Sequence, residues 1–263
     1  MVKPTLPKFT SFAFALLMGF TSFAEASESG TLAYRAQKSL KAGKIAKSYS
    51  QLERALLASR KEADLGAESR ILIAMGQIRT MSLDFAFADS ILANVRAEAM
   101  DRTTKVVYAK SQAALKNAQE NYQTAASICK SVSNDDLKKA ADELQAAFYS
   151  ECGIAYAATG KSEDAKDALK MIDKRTDDET LLYAWTEARI ANFNAPAKAD
   201  SLYKIAEERA IADNRPYTTA TILYLRAKLL EKSDKKTSDD LYLRSKNAFE
   251  LMGLPNNAKR SEK

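Results

Sequence analysis

The chain has 263 residues, 46% hydrophobic and 28% charged, with a net charge of +6 and no histidine. The missing imidazole excludes Ser-His-Asp and Cys-His nucleophilic catalysis, histidine metal sites and the commonest general base. With only 8 Gly and 5 Pro and no sustained period-2 alternation of β-branched residues, the composition predicts an all-α chain without sheet.

Lys3 and Lys8 form a short positive head, and Phe12 to Phe23 is an apolar run interrupted only by Gly19, Thr21 and Ser22. Ala24-Glu25-Ala26 supplies a small-x-small cleavage pattern before Ser27. This is the layout of a secretory signal peptide over residues 1–26, with 27–263 as the working domain. An uncleaved anchor is the alternative; the apolar run is shorter than the roughly 20 residues of a spanning helix. Both readings place the domain outside the cytoplasm, periplasmic or secreted.

From residue 27 onward the chain reads as repeated helix-turn-helix units. The first carries Leu32, Ala36, Gly43, Ser48, Leu52 and Ala55, and the second Leu72, Met75, Gly76, Ala88, Leu92 and Val95. A third has Ala109, Ala113, Tyr122, Ala125, Cys129 and Val132, with Asn121-Tyr122 at its turn. The fourth is the most complete. Tyr149, Cys152, Gly153 and Tyr156 share one face of a 3.6-residue helix, and Gly160 follows where a left-handed residue ends it. Ser162 then offers a capping oxygen, Glu163 and Asp164 occupy the first turn, and Ala165, Leu169 and Ile172 form the facing stripe. A fifth unit places Ala199, Tyr203 and Ala206 behind a first helix bearing Tyr183 and Trp185. The last is looser, with Leu225, Leu229, Leu241, Ser245, Ala248 and Leu251 before Gly253 and Pro255. Taking Ser48, Ala88, Ala125, Ala165, Ala199 and Leu241 as equivalent gives spacings of 40, 37, 40, 34 and 42 residues.

The residues from Tyr149 to Ile172 resemble the tetratricopeptide repeat, with its W-x2-L-G-x2-Y…A-x3-F pattern of about 34 residues. Tyr149 stands for the tryptophan, Cys152 for the leucine and Leu169 for the phenylalanine. The resemblance implies a right-handed superhelical solenoid of about six units in one domain, whose first helices line a concave groove. By register the groove positions are Gln37, Lys41, Arg70, Ile73, Gln77, Thr80, Lys110, Ala114 and Asn117, then Ser150, Ile154 and Ala157. Lys110 and Asn117 alone do not reproduce the Lys/Asn clamp with which some members grip a C-terminal carboxylate. Trp185 is read as a packing residue, with a peptide anchor as the alternative. Stacked units would also bring Cys129 and Cys152 onto neighbouring helices, as a disulfide in an oxidising compartment or as two small apolar core residues.

Charge is uneven. Residues 31–61 hold eight Lys/Arg (Arg35, Lys38, Lys41, Lys44, Lys47, Arg54, Arg60, Lys61) against one acid, Glu53, a net of +7. The whole stretch from Ser27 has 38 Lys/Arg and 33 Asp/Glu, so the remainder is net −2. The patch centred on Arg35, Lys38, Lys41, Lys44 and Lys47 would steer anionic lipid, acidic polymer or acidic protein, or serve as a solvated capping hairpin. Nucleic acid is not an expected partner, because no aromatic platform interleaves the charges.

No Gly-rich phosphate loop and no C-x-x-C pair occurs, so neither a cofactor nor a metal is expected. Asp135-Asp136, Asp142-Glu143 and Asp177-Asp178-Glu179 fall at turns or helix starts, where acids favour the dipole. The expectation is therefore a non-enzymatic protein-interaction scaffold of the bacterial cell envelope, holding a peptide or protein segment in its groove. The alternatives are a surface adaptor docking through the basic hairpin and an all-α enzyme acting on glycans through paired carboxylates. Oligomeric state stays open.

Overall fold

The computed structural model describes residues 27–172 and 177–262; the expected signal peptide, residues 1–26, lies outside them. The described residues form fourteen α-helices, one 3₁₀ turn and no strand. The first unit is α1 (Glu28–Lys41) with α2 (Ile45–Lys61), and the second is α3 (Leu65–Met81) with α4 (Phe85–Ala93). After the 3₁₀ turn Ala97–Ala99, the third pairs α5 (Arg102–Ala118) with α6 (Tyr122–Ser131). A short α7 (Asn134–Leu137) precedes the fourth unit, α8 (Asp142–Ala158) and α9 (Ser162–Lys170). The fifth is α10 (Asp177–Asn194) with α11 (Pro196–Ala212), the sixth α12 (Pro216–Leu230) with α13 (Lys235–Leu251), and α14 (Pro255–Arg260) closes the chain.

Local chemistry sets these boundaries. Ser27, Asp64, Asp101, Asn121 and Asp234 each accept a hydrogen bond from a backbone N–H of the helix they precede, satisfying a donor that has no intrahelical partner. Pro196, Pro216 and Pro255 open their helices instead, where a missing N–H costs nothing. The expected cap at Ser162 does not form. Lys161 occupies the cap position without a side-chain bond, and Ser162 is the first helical residue.

Seven turns end in one left-handed residue: Gly43, Ala63, Leu83, Glu120, Gly160, Asn214 and Gly253. Each shows the same pair of bonds, as where Gly43 N–H reaches the Leu40 carbonyl and Lys44 N–H the Ser39 carbonyl. This is the Schellman closure. Sequence marked only the glycines, because alanine, leucine and glutamate carry no local signal for positive φ.

Each first helix packs against its own second helix; α3, α5, α8 and α10 also pack in succession on one another, whereas α12 joins the stack through α11, and the whole makes an all-α helical repeat solenoid. Ser48, Ala88, Ala125, Ala165 and Ala199 are each the fourth residue of a second helix, and each is buried. In the last unit that position belongs to Ser238 and not to Leu241. Ser238 donates to the Ala227 carbonyl at 2.8 Å, as Ser48 does to Ala36. The 3₁₀ turn and α7 lengthen the connections after α4 and α6, which stretches the Ala88–Ala125 and Ala125–Ala165 intervals to 37 and 40 residues.

The solenoid also closes on itself. Tyr217 at the start of α12 and Asn257 in α14 both donate to the Met81 carbonyl, and Asn256 donates to that of Ser82. Ala220, Phe249, Leu254 and Ala258 join the same apolar core as the N-terminal units, so Leu254 is a cap residue, while Leu251 is exposed. Among the described residues no helix is long and apolar enough to cross a membrane.

Candidate functional site

Closure forms a half-open cavity of about 870 Å³. It is walled by the C-terminal turns of α3 and α5, the middle of α8 and most of α10 and α12. The helical period explains the lining. Ala114, Asn117 and Ala118 on α5, then Leu182, Trp185, Arg189 and Asn192 on α10, recur at three- and four-residue steps along one face.

Six aromatic side chains stand in the wall. Phe85, Tyr122, Trp185, Phe193, Tyr217 and Tyr224 all face the space, and Tyr122 meets Phe193 edge-on with centroids 5.2 Å apart. Arg189 sits 5.4 Å from the Trp185 ring and Arg260 lies 4.1 Å from that of Tyr224. Lys228 on α12 and Glu120 in the α5–α6 turn form an ion pair of 2.9 Å between the sixth and third units.

The polar centre is on α5 and α8. Asn117 Nδ2 donates to both the backbone carbonyl and the Oε2 of Glu151, each at 2.9 Å. That fixes the amide orientation and leaves Asn117 Oδ1 buried without a hydrogen-bond donor. Behind it Lys110 is fully enclosed, and desolvation lowers its ammonium pKa to about 7, partly offset by attraction to Glu151. Desolvation likewise raises the Glu151 carboxyl, opposed by Asn117, Lys110 and Arg189. Next to Glu151, Ser150 Oγ and Thr186 Oγ1 are 2.6 Å apart, tying α8 to α10.

Of the groove positions read from sequence, Thr80, Ala114, Asn117, Ser150 and Ile154 line the cavity. Gln37, Lys41, Arg70, Gln77 and Lys110 do not, and neither do Ile73 and Ala157. Gln77 is buried between helices and donates to Ser111 Oγ at 2.5 Å. Gln37 is buried within the first unit, Arg70 half-buried and Lys41 exposed at the end of α1. Gln77 on α3 and Ser111 on α5 therefore serve contact between successive first helices, and only the last turns of these helices reach the open space. Trp185 packs in the stack and also faces the cavity.

Glu151, Arg189, Tyr217, Tyr224, Lys228 and Arg260 escaped the sequence reading. The stripe on α10 was available from periodicity. The contributions of α12 and α14 depend on chain closure, which no local pattern encodes.

Cys129 on α6 and Cys152 on α8 form a disulfide, with Cα atoms 5.6 Å apart, one residue beyond Glu151. The basic residues Arg35, Lys38, Lys41, Lys44 and Lys47 are all exposed, far in sequence from the cavity wall. Asp135, Asp142 and Glu143 are exposed, and Asp136 pairs with Arg102 at 3.9 Å; none of the four lines the cavity. Among the described residues no cluster of three or more His, Cys, Asp or Glu could hold a metal. The sequence matches no protein-family model and no curated protein.

Proposed function

We propose that this chain is an exported, tetratricopeptide-like binding protein, non-enzymatic, that holds a short peptide segment in the half-open cavity. The observation that carries the reading is the buried, donor-less Asn117 Oδ1 on the wall of a cavity of about 870 Å³. An unsatisfied buried acceptor costs about 1–3 kcal/mol, and a small turn of the Asn117 side chain would present it to a peptide N–H. The volume falls within the roughly 300–1,000 Å³ of ligand pockets, so the occupant is a short segment and not a folded domain. Tyr122, Trp185 and Tyr224 supply apolar faces for its side chains, while Arg189 and Arg260 supply donors.

Both carboxylates on the wall are engaged, Glu120 by Lys228 and Glu151 by Asn117. That supports binding over acid–base chemistry on a glycan, which needs two carboxyl groups facing one bond.

Trp185 is the only tryptophan, so its fluorescence reports occupancy directly. Titration with a diverse library of short peptides is expected to give saturable emission changes that Asn117→Leu weakens by about tenfold, the worth of one good hydrogen bond. If no peptide perturbs Trp185 while small organic molecules do, the peptide assignment fails.

A further inference from the structure

We propose a second interaction surface: the outward face of the α1–α2 hairpin docks on an anionic lipid bilayer. The cations there are arranged as well as abundant. Arg35, Lys38 and Lys41 lie on one exposed arc of α1 together with Tyr34, and the Lys38 ammonium sits 4.5 Å from the Tyr34 ring centroid. On α2, Lys47, Arg54 and Lys61 recur at seven-residue steps along a single exposed line. Leu57, 60% exposed, lies beside that line, one turn from both Arg54 and Lys61. Cationic rows flanking an exposed leucine and tyrosine match a headgroup layer, where the charges meet phosphate and the apolar groups reach the acyl boundary.

Elsewhere in the molecule several basic side chains are matched internally. Lys116 pairs with Asp89, Lys228 with Glu120, Arg226 with Asp200 and Glu207, and Lys246 with Glu262. By contrast Arg35, Lys38, Lys44, Lys47, Arg54 and Lys61 make no ion pair with any described residue. Residues 31–61 carry +7, whereas the rest of the chain after Ser27 carries −2. The attraction is therefore directional and would orient the hairpin, not the remaining units, toward a negative surface.

Position along the chain favours a bilayer over a soluble acidic partner. The apolar run Phe12 to Phe23 ends five residues before α1 begins at Glu28. Until cleavage after Ala26, and throughout if the run is retained as an anchor, a chain that short keeps the hairpin next to whatever surface engages the run.

The test uses the full chain and sedimentation with phosphatidylcholine vesicles, with or without about one third phosphatidylglycerol, so that any binding by the apolar run is common to all arms. Wild type is expected to partition at least about tenfold more strongly onto the anionic vesicles, and Lys38→Glu/Lys41→Glu/Lys44→Glu/Lys47→Glu to lose that preference. At about 1 M salt, where the Debye length is about 3 Å, the preference should vanish for wild type too. Circular dichroism checks that the variant keeps its helices, and Lys38→Gln/Lys47→Gln gives a milder series with an intermediate loss. Equal partitioning of wild type and the fourfold variant overturns the proposal. So does binding of soluble polyglutamate by wild type without a preference for anionic vesicles, which would assign the hairpin to acidic polymers or proteins.

Discussion

The phenol of Tyr217 donates a hydrogen bond of 3.1 Å to the backbone carbonyl of Met81, 136 residues away in the chain. Asn257 Nδ2 meets the same carbonyl at 3.0 Å. The last carbonyls of a helix have no intrahelical acceptor role to play, so the sixth unit and α14 complete the C-terminus of α3. This contact turns an open stack into the wall of a cavity.

Removing the contact should loosen the ring without unfolding the units. Tyr217→Phe alone is expected to cost about 1 kcal/mol or less, because Asn257 still covers the carbonyl. The double variant Tyr217→Phe/Asn257→Ala should cost about 2–3 kcal/mol. Hydrogen exchange would quicken in residues 216–260 more than in α2, which lies outside the closure. Uniform acceleration along the chain would contradict a local latch.

The disulfide closes a loop with a sequence separation of 23 residues. A loop of that length stabilises by about 3 kcal/mol in the chain-entropy account. Cys129→Ala/Cys152→Ala should therefore lower the urea midpoint, and reductant should shift wild type toward the variant while leaving the variant unmoved. Since Cys152 follows Glu151, the Trp185 response to peptide should weaken in the same variant. Equal midpoints for wild type and variant would remove the bridge from the stability of the fold.

Lys110 predicts a pH dependence with a definite sign. Burial lowers its pKa from an ordinary 10.5 to about 7. Between those values the unfolded chain binds a proton that the native chain does not, so stability rises with pH across that window. Lys110→Met lacks this contribution. The stability of wild type relative to the variant should then increase between about pH 7 and about pH 10. Glu151, raised by desolvation, acts in the opposite sense as pH rises from its ordinary value. A wild-type-minus-variant difference that is flat above pH 7 would show that the Lys110 ammonium is not desolvated.

Two glycines mark close helix contacts of unequal strictness. A Cβ at Gly76 would stand 2.8 Å from both Cγ and Cδ2 of Leu92, on the facing second helix. At Gly153 the nearest atom is Ile190 Cδ1 at 3.1 Å, the free end of a side chain. Gly76→Ala should cost about 1–3 kcal/mol through forced displacement, and Gly153→Ala distinctly less. Thermal unfolding of the two variants gives the order, and the reverse order would place the tighter contact between the fourth and fifth units.

The repeat register was legible because it is local. Ser48, Ala88, Ala125, Ala165 and Ala199 hold equivalent buried places, each predicted from side chains at helical spacing within its own unit. The misplacement at Leu241 has a specific cause. Ser238 makes the same carbonyl contact as Ser48, but a serine carries no hydrophobic signal, and the nearby leucine does. For the cavity, a register carried along the first helices points to Asn117 and Ile154, and equally to Lys110 and Gln77, which the structure buries.

By itself, then, the sequence determined the class and rhythm of the molecule: paired helices, the glycine-closed turns, and a basic first hairpin. Those properties follow from backbone sterics, capping and side-chain periodicity acting over a few residues. Only the tertiary structure decided that six units turn far enough for Tyr217 to reach Met81 and for Lys228 to meet Glu120. The rotation between neighbouring units is small and set by many packed side chains, and it accumulates along the stack. Where the sixth unit lands, and so whether a groove becomes a cavity, is written in that sum and in no single segment.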